Sequence, residues 1–195
     1  MGLALTTVDR VKGVYPLSTT DKDAQISDLI AAVSQEAEQY MGRHAQAMAR
    51  TEVYELRPNR LFLWLRGFPI ASVTAVRISD RRRFTGVDPV DPELYDVHPE
   101  RGQIEFQEGA IPDITQTNWV QVDYSGGMAA TDAAFVTAFP RISGAVTTEV
   151  VNRLNRSKNP EGNLTSLGGD VAYQKPLEPL EDFYKALDHN RRVVL

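Results

Sequence analysis

The chain has 195 residues, no cysteine, 42% hydrophobic and 24% charged residues, and a formal net charge of −5. That length suits one medium domain, or one domain with extensions, and can bury a core without covalent staples. The composition excludes a disulfide framework, a thiolate nucleophile and a cysteine-built zinc site, and the acidic balance argues against a protein whose main task is to grip phosphates.

The amino-terminal stretch does not read as a signal peptide, because Asp9, Arg10 and Lys12 interrupt any apolar segment. "LTTVDRVKGVY", with Thr6 and Thr7 as caps, predicts a short helix over residues 5–13, limited by Gly13 and Pro16. A long helix follows over residues 20–42. Thr20 or Asp21 offers the N-cap, Asp23 complements the positive end of the helix dipole, and Gly42 suits the C-terminal stop. Ile26, Leu29, Ile30, Val33, Ala37, Tyr40 and Met41 form one helical stripe, and Asp28, Gln35, Glu36, Glu38 and Gln39 occupy the other face.

From residue 51 the period changes to two. "TEVYELR" and "RLFLWLR" alternate on either side of a Pro58–Asn59 turn, and Leu61, Leu63 and Leu65 face away from Phe62 and Trp64. "SVTAVRIS", "ELYDVH", "GQIEF" and "NWVQVDY" follow as further strands bounded by Pro, Gly and Asp, which predicts an antiparallel β-module over residues 51–125. "YSGGMAATDAAFVTAFP" leads back to helix. A second long helix over residues 140–157 opens on Pro140 and repeats Ile142, Ala145, Val146, Val150, Arg153 and Leu154 at helical spacing. A loop-rich stretch precedes a last helix in which Leu180, Phe183, Tyr184 and Leu187 share one face. No apolar run approaches the roughly 18 residues of a membrane span, so no membrane partner is expected. The expected architecture is α+β. Residues 1–157 form one domain, two long packed helices with an inserted antiparallel β-module, and residues 158–195 form a loop and a C-terminal helix and tail.

The residues that usually carry chemistry do not assemble into a motif. His44, His98 and His189 lack metal-pair spacing, and Asp88, Asp91 and Glu93 lie in a proline-broken stretch without the glycine of a calcium loop. Phosphate-loop and nucleophile-elbow patterns are absent. No catalytic residue, cofactor or metal ligand is assigned. The strongest charge cluster is Arg81, Arg82 and Arg83 followed by Phe84, which reads either as a solvated hairpin or loop tip or as cations beside a stacking ring.

Taken in order, these parts resemble the tailed-phage head–tail connector (adaptor) family, the neck proteins that dock under the portal. "LTTVDRVKGVYPL" is similar to its opening segment and "DKDAQISDLIAAVSQEAEQYMGR" to its first long helix. "LFLWLRGFPIASVTAV", "LYDVHPERGQIEF" and "WVQVDYSGG" resemble its strands, "FPRISGAVTTEVVNRLNRSKNPEG" its second long helix, and "LEPLEDFYKALDHNRRVVL" its closing turn. The stretch between Gly127 and Pro140 is longer than the family pattern, and "DHNRR" stands where a "PYR"-like ending is usual.

The resemblance implies a structural virion protein without enzymatic activity, assembled in the host cytoplasm and placed in the neck. It implies a ring of identical subunits, commonly about twelve, between the portal and a stopper or tail protein, with genome DNA passing through the channel without sequence recognition. On this reading Leu180, Phe183, Tyr184, Leu187, Arg191, Arg192, Val193, Val194 and Leu195 contact the portal from a tail that lies off the main domain. Arg81, Arg82, Arg83 and Phe84 contact another subunit or face the channel. The alternative is a DNA-binding accessory protein of packaging or virion assembly.

Overall fold

Thr7 starts the first helix. Its backbone is extended, and its hydroxyl accepts from the N–H of Arg10 at 3.2 Å, so α1 spans Val8–Val14 and begins later than the expected residue 5. The computed structural model describes residues 2–15, 20, 22–107, 109–158, 179–188 and 190–191. Leu5 and Thr6, read from sequence as helical, are buried in an irregular segment: the Leu5 N–H donates to Ser34 Oγ at 3.0 Å, and the Thr6 and Thr147 hydroxyls share a 2.7 Å hydrogen bond.

The chain divides into two compact units, Met1–Gly42 with Thr131–Arg192, and Arg43–Ala130. The expected boundary at residue 157 does not hold, because helices from both ends of the sequence share one core while the β-module closes another.

In the helical unit, α2 spans Asp23–Met41 and stops at Gly42, whose φ of 63° is the left-handed conformation that glycine adopts without a Cβ penalty. Its N-cap is Lys22 with no side-chain cap; of the two expected caps, Asp21 lies outside the described residues, and Thr20 contributes its carbonyl to the N–H of Asp23 at 3.0 Å. Thr131 caps α3 (Asp132–Ala138), which fills the long stretch before Pro140. Next come α4 (Pro140–Lys158) and α5 (Pro179–Asp188). Among the described elements α4 is central, packing against α1, α2, α3 and α5. Its buried residues Ile142, Val146, Val150 and Leu154, with Ile26, Ile30, Val33, Ala37 and Met41 of α2, make much of the core.

The β-unit holds β1 (Met48–Leu56), β2 (Phe62–Trp64), β3 (Ile70–Ser79), β4 (Tyr95–His98), β5 (Gln103–Phe106) and β6 (Asn118–Gly126). They form two three-stranded antiparallel sheets, in the orders β1-β6-β3 and β2-β5-β4. The turn after β1 forms, with Asn59 at φ 59°, but it does not make a hairpin: β1 pairs with β6, and β2 pairs with β5. Apolar side chains from both sheets meet in one cluster that includes Leu56, Leu63, Leu65, Val76, Ile104, Phe106, Val120 and Val122. Gly126 is required at the end of β6, since a Cβ there would stand 2.1 Å from the Gly67 carbonyl oxygen. The architecture is α+β, mixed helix and antiparallel sheet.

Candidate functional site: assembly surfaces

The basic tip is the loop that leaves β3. It is a loop and not a hairpin, because β3 pairs with β6 and the residues after it join no strand until β4. Arg81, Arg82 and Arg83 are exposed, Arg81 by 82% of its side chain, and Phe84 is half-buried. Arg82 holds φ 52°, uncommon for a residue with a side chain, and lays its guanidinium 4.7 Å from the centroid of the Trp119 ring on β6. The Val87 N–H to Phe84 carbonyl bond of 3.2 Å closes the loop base. The four residues therefore sit together at one exposed tip.

Trp119 belongs to the outer face of the β1-β6-β3 sheet, opposite Glu55 of β1 and Ser79 of β3. Further along that face Asp123 accepts from the Thr51 hydroxyl at 2.6 Å and pairs with Arg77 at 2.5 Å. The Thr51 hydrogen bond, helped by Arg77 and opposed by partial burial, holds the Asp123 carboxyl below its ordinary range.

The same β-unit contains a polar hub that the sequence reading missed. Glu52 accepts from His44 at 2.9 Å and from the hydroxyls of Tyr54 and Tyr124, the latter at 2.9 Å. Tyr124 Oη in turn accepts the Gly67 N–H at 2.9 Å, and Tyr54 Oη accepts the Arg66 N–H at 3.2 Å. Burial pushes the Glu52 carboxyl up, but the hydrogen bonds outweigh it and hold the group at about 2. The Tyr54 and Tyr124 hydroxyls are pushed up by burial and by the neighbouring carboxylate. The hub ties β1 and β6 to the segment entering β3. Its sequence signal was the alternation that places Glu52 and Tyr54 on one face of β1.

The carboxy-terminal helix does not stand off the main domain. α5 packs against α2 and α4, with Phe183 3% and Leu187 0% exposed. Tyr184 stacks on Tyr40 and donates to Glu36 at 2.8 Å, while Arg191 places its guanidinium 5.0 Å from the Tyr40 ring centroid. The apolar stripe expected to meet another protein finds its partner inside the unit. The side chain of Leu180 and residues 192–195, which include Arg192, Val193, Val194 and Leu195, lie outside the described residues.

A groove of about 930 Å³ opens in the helical unit between the amino-terminal segment and α2. Leu3, Val8 and Ile30 supply apolar lining, Ser27, Ala31 and Ala32 a small-residue wall, and Glu38 and Asp132 two carboxylates. Among the described residues no group of His, Asp and Glu is arranged to hold a metal ion, and no helix is long and apolar enough to cross a membrane.

No curated protein matches the sequence. Among solved structures, a chain in the neck of an empty gene transfer agent particle, computed with C6 symmetry, aligns with a TM-score of 0.61 at 18% identity, over 96% of this chain and 90% of that one. A chain in the virion of a native gene transfer agent particle aligns at 0.58 and 18% identity, over 98% and 91%. A third, from the neck of the native particle computed with C12 symmetry, aligns at 0.56 and 19% identity, over 89% and 85%. These likenesses establish a shared fold. Residues 4–138 match the head completion protein family, bearing out the resemblance to head–tail connectors, and the chain belongs to that family.

Proposed function

We propose that this protein is a neck adaptor that works by binding alone: copies close into a ring, about twelve in number, beneath the portal, and the ring receives a stopper or tail protein below. Genome DNA passes through the channel and is not read. The family match over residues 4–138 carries this reading, since it takes in α1 to α3 and the whole β-unit. The fold shared with chains from symmetric necks of gene transfer agent particles supports it.

The portal contact in this reading is narrower than the sequence suggested. Phe183, Tyr184 and Leu187 are engaged within the helical unit, which leaves exposed Arg191 and the residues after it for the portal contact. Arg191 and Arg192 offer charge, and Val193, Val194 and Leu195 suit addition to the edge of a partner's sheet. The test is deletion of residues 192–195, followed by separate measurements of folding and of portal binding. Retained folding with lost portal binding is expected; portal binding at full strength would show that the contact lies elsewhere.

A second reading, a DNA-binding accessory protein, is favoured by one observation, the exposed arginines beside Trp119. It requires duplex affinity that falls steeply with salt and disappears in the Arg81→Ser, Arg82→Ser, Arg83→Ser variant.

A further inference from the structure

We infer that the Arg81–Arg83 tip of one copy seats in the groove between the amino-terminal segment and α2 of the next copy, a contact that rests on the ring-forming reading above. The tip is the only run of three basic residues in a chain of net charge −5. Between copies of like net charge a local contact of opposite sign speeds encounter and fixes register, and this run is the strongest positive feature in the sequence. Its shape is set before contact: Arg82 occupies a left-handed conformation, held by its stacking on Trp119, and Phe84 is half-buried below. Arg81, 3.4 Å from the Asp80 carboxylate, and Arg83 are both exposed on this loop.

The groove is the complement. Among the described residues that line it, Glu38 and Asp132 are acidic and none is lysine or arginine; Asp132 accepts the Ala4 N–H at 3.1 Å, and exposed Asp28 adds charge on α2. Arginine meets carboxylate through paired parallel hydrogen bonds, which fix orientation as well as strength. The small side chains of Ser27, Ala31 and Ala32 let a long guanidinium side chain lie along α2 and reach the acidic positions. Because the tip cannot pair with its own copy on a neighbour, like charge facing like, the contact joins two different patches. Such a heterologous contact propagates from subunit to subunit and closes into a ring where the rotation permits, whereas a self-complementary patch stops at a dimer.

Two experiments test this, each made on the full chain beside a portal ring. The first exchanges charges between copies. Glu38→Arg alone and Arg81→Glu alone should each weaken self-association at least about tenfold, since each sets like charges against one another. An equal mixture of the two should assemble as the parent does, because in an alternating ring every contact regains opposite charges. Either variant assembling alone as well as the parent, or a mixture no better than its components, overturns the proposal while leaving a ring-forming parent intact. A parent that stays monomeric even beside the portal overturns both the contact and the ring. A tip variant that assembles normally but loses salt-sensitive binding to duplex DNA assigns the arginines to nucleic acid and overturns the proposal.

The second experiment uses the absence of cysteine from the sequence. A chain carrying Arg83→Cys and Gln35→Cys, assembled and then oxidised, should run on a non-reducing gel as a ladder longer than the dimer, with either single variant remaining monomeric because its thiol faces no second thiol. Intact rings without a ladder rule out the groove.

Discussion

The ring of Tyr184 on the last helix stacks on that of Tyr40 on α2, with centroids 4.4 Å apart. The two hydroxyls extend the contact in opposite directions, Tyr184 donating to Glu36 at 2.8 Å and Tyr40 donating to Asp188 at 2.5 Å. Glu36 also pairs with Arg153 of α4 at 2.7 Å, so one carboxylate links three helices. Burial alone would raise the Glu36 carboxyl; the hydrogen bonds from Arg153 and Tyr184 lower it instead. A short helix, marginal on its own in water, is thus fixed by apolar burial and by a polar clasp.

The first prediction follows from that docking. Leu187→Ala should destabilise the helical unit by about 2–5 kcal/mol and Phe183→Ala by about 3–5 kcal/mol, as expected for fully buried side chains. Urea unfolding followed by circular dichroism measures both. Midpoints equal to the parent's would mean that α5 is not part of the core.

The second prediction separates two neighbours on α2. Ile26 is 0% exposed and Leu29 only half-buried. Ile26→Ala should cost about 2–5 kcal/mol, and Leu29→Ala about 1 kcal/mol, because a partly solvated site leaves little cavity. A thermal melt in which Leu29→Ala is the worse of the two would contradict the observed rotation of the helix.

The third concerns acid. With the Glu52 carboxyl held near 2 in the folded protein against an ordinary 4.5, the ionised form is the one the fold favours. Its contribution, on the order of 2–3 kcal/mol, is complete above the unfolded value and lost as pH falls from about 4.5 towards about 2. Among the described residues the groups bonded to it are His44, Tyr54 and Tyr124, all donors. Glu52→Gln should lower stability at neutral pH and flatten the acid limb of a plot of unfolding free energy against pH. A variant whose acid limb has the parent's slope would show that other carboxylates, such as Glu36 and Asp123, dominate.

The fourth concerns the tip. Since Arg81, Arg82 and Arg83 are exposed, replacing all three with serine should leave the circular dichroism spectrum unchanged and move the melting temperature by no more than about 2 °C. A larger loss would mean that the stacking of Arg82 on Trp119 holds the sheet together.

Local pattern carried much of this fold. The α2 stripe and its glycine stop, the start of α4 at Pro140 and the alternation of β6 are set by neighbours in sequence, and the structure forms them close to where the residues indicate. Pairing was another matter. A strand's alternation tells which side chains share a face but not which strand lies beside it, and nothing in the stretch around Pro58 and Asn59 points to β6, the partner that β1 takes some 70 residues on. Tyr40, placed on the stripe facing α4, turns to α5 because its hydroxyl meets Asp188 there. The arginine tip was visible as a charge run; the acid-lined groove was not, because its walls come from residues 2–8, 27–38 and 132. The same reason hid the Glu52 hub, whose donors lie on separate segments.

Ring formation beneath a portal is the central claim, and native mass spectrometry of the purified chain mixed with its portal protein tests it most directly. The expected result is a complex in which the portal ring carries a closed set of adaptor copies, about twelve, with no half-filled series at saturation. A folded chain that remains monomeric and leaves the mass of the portal ring unchanged would contradict it.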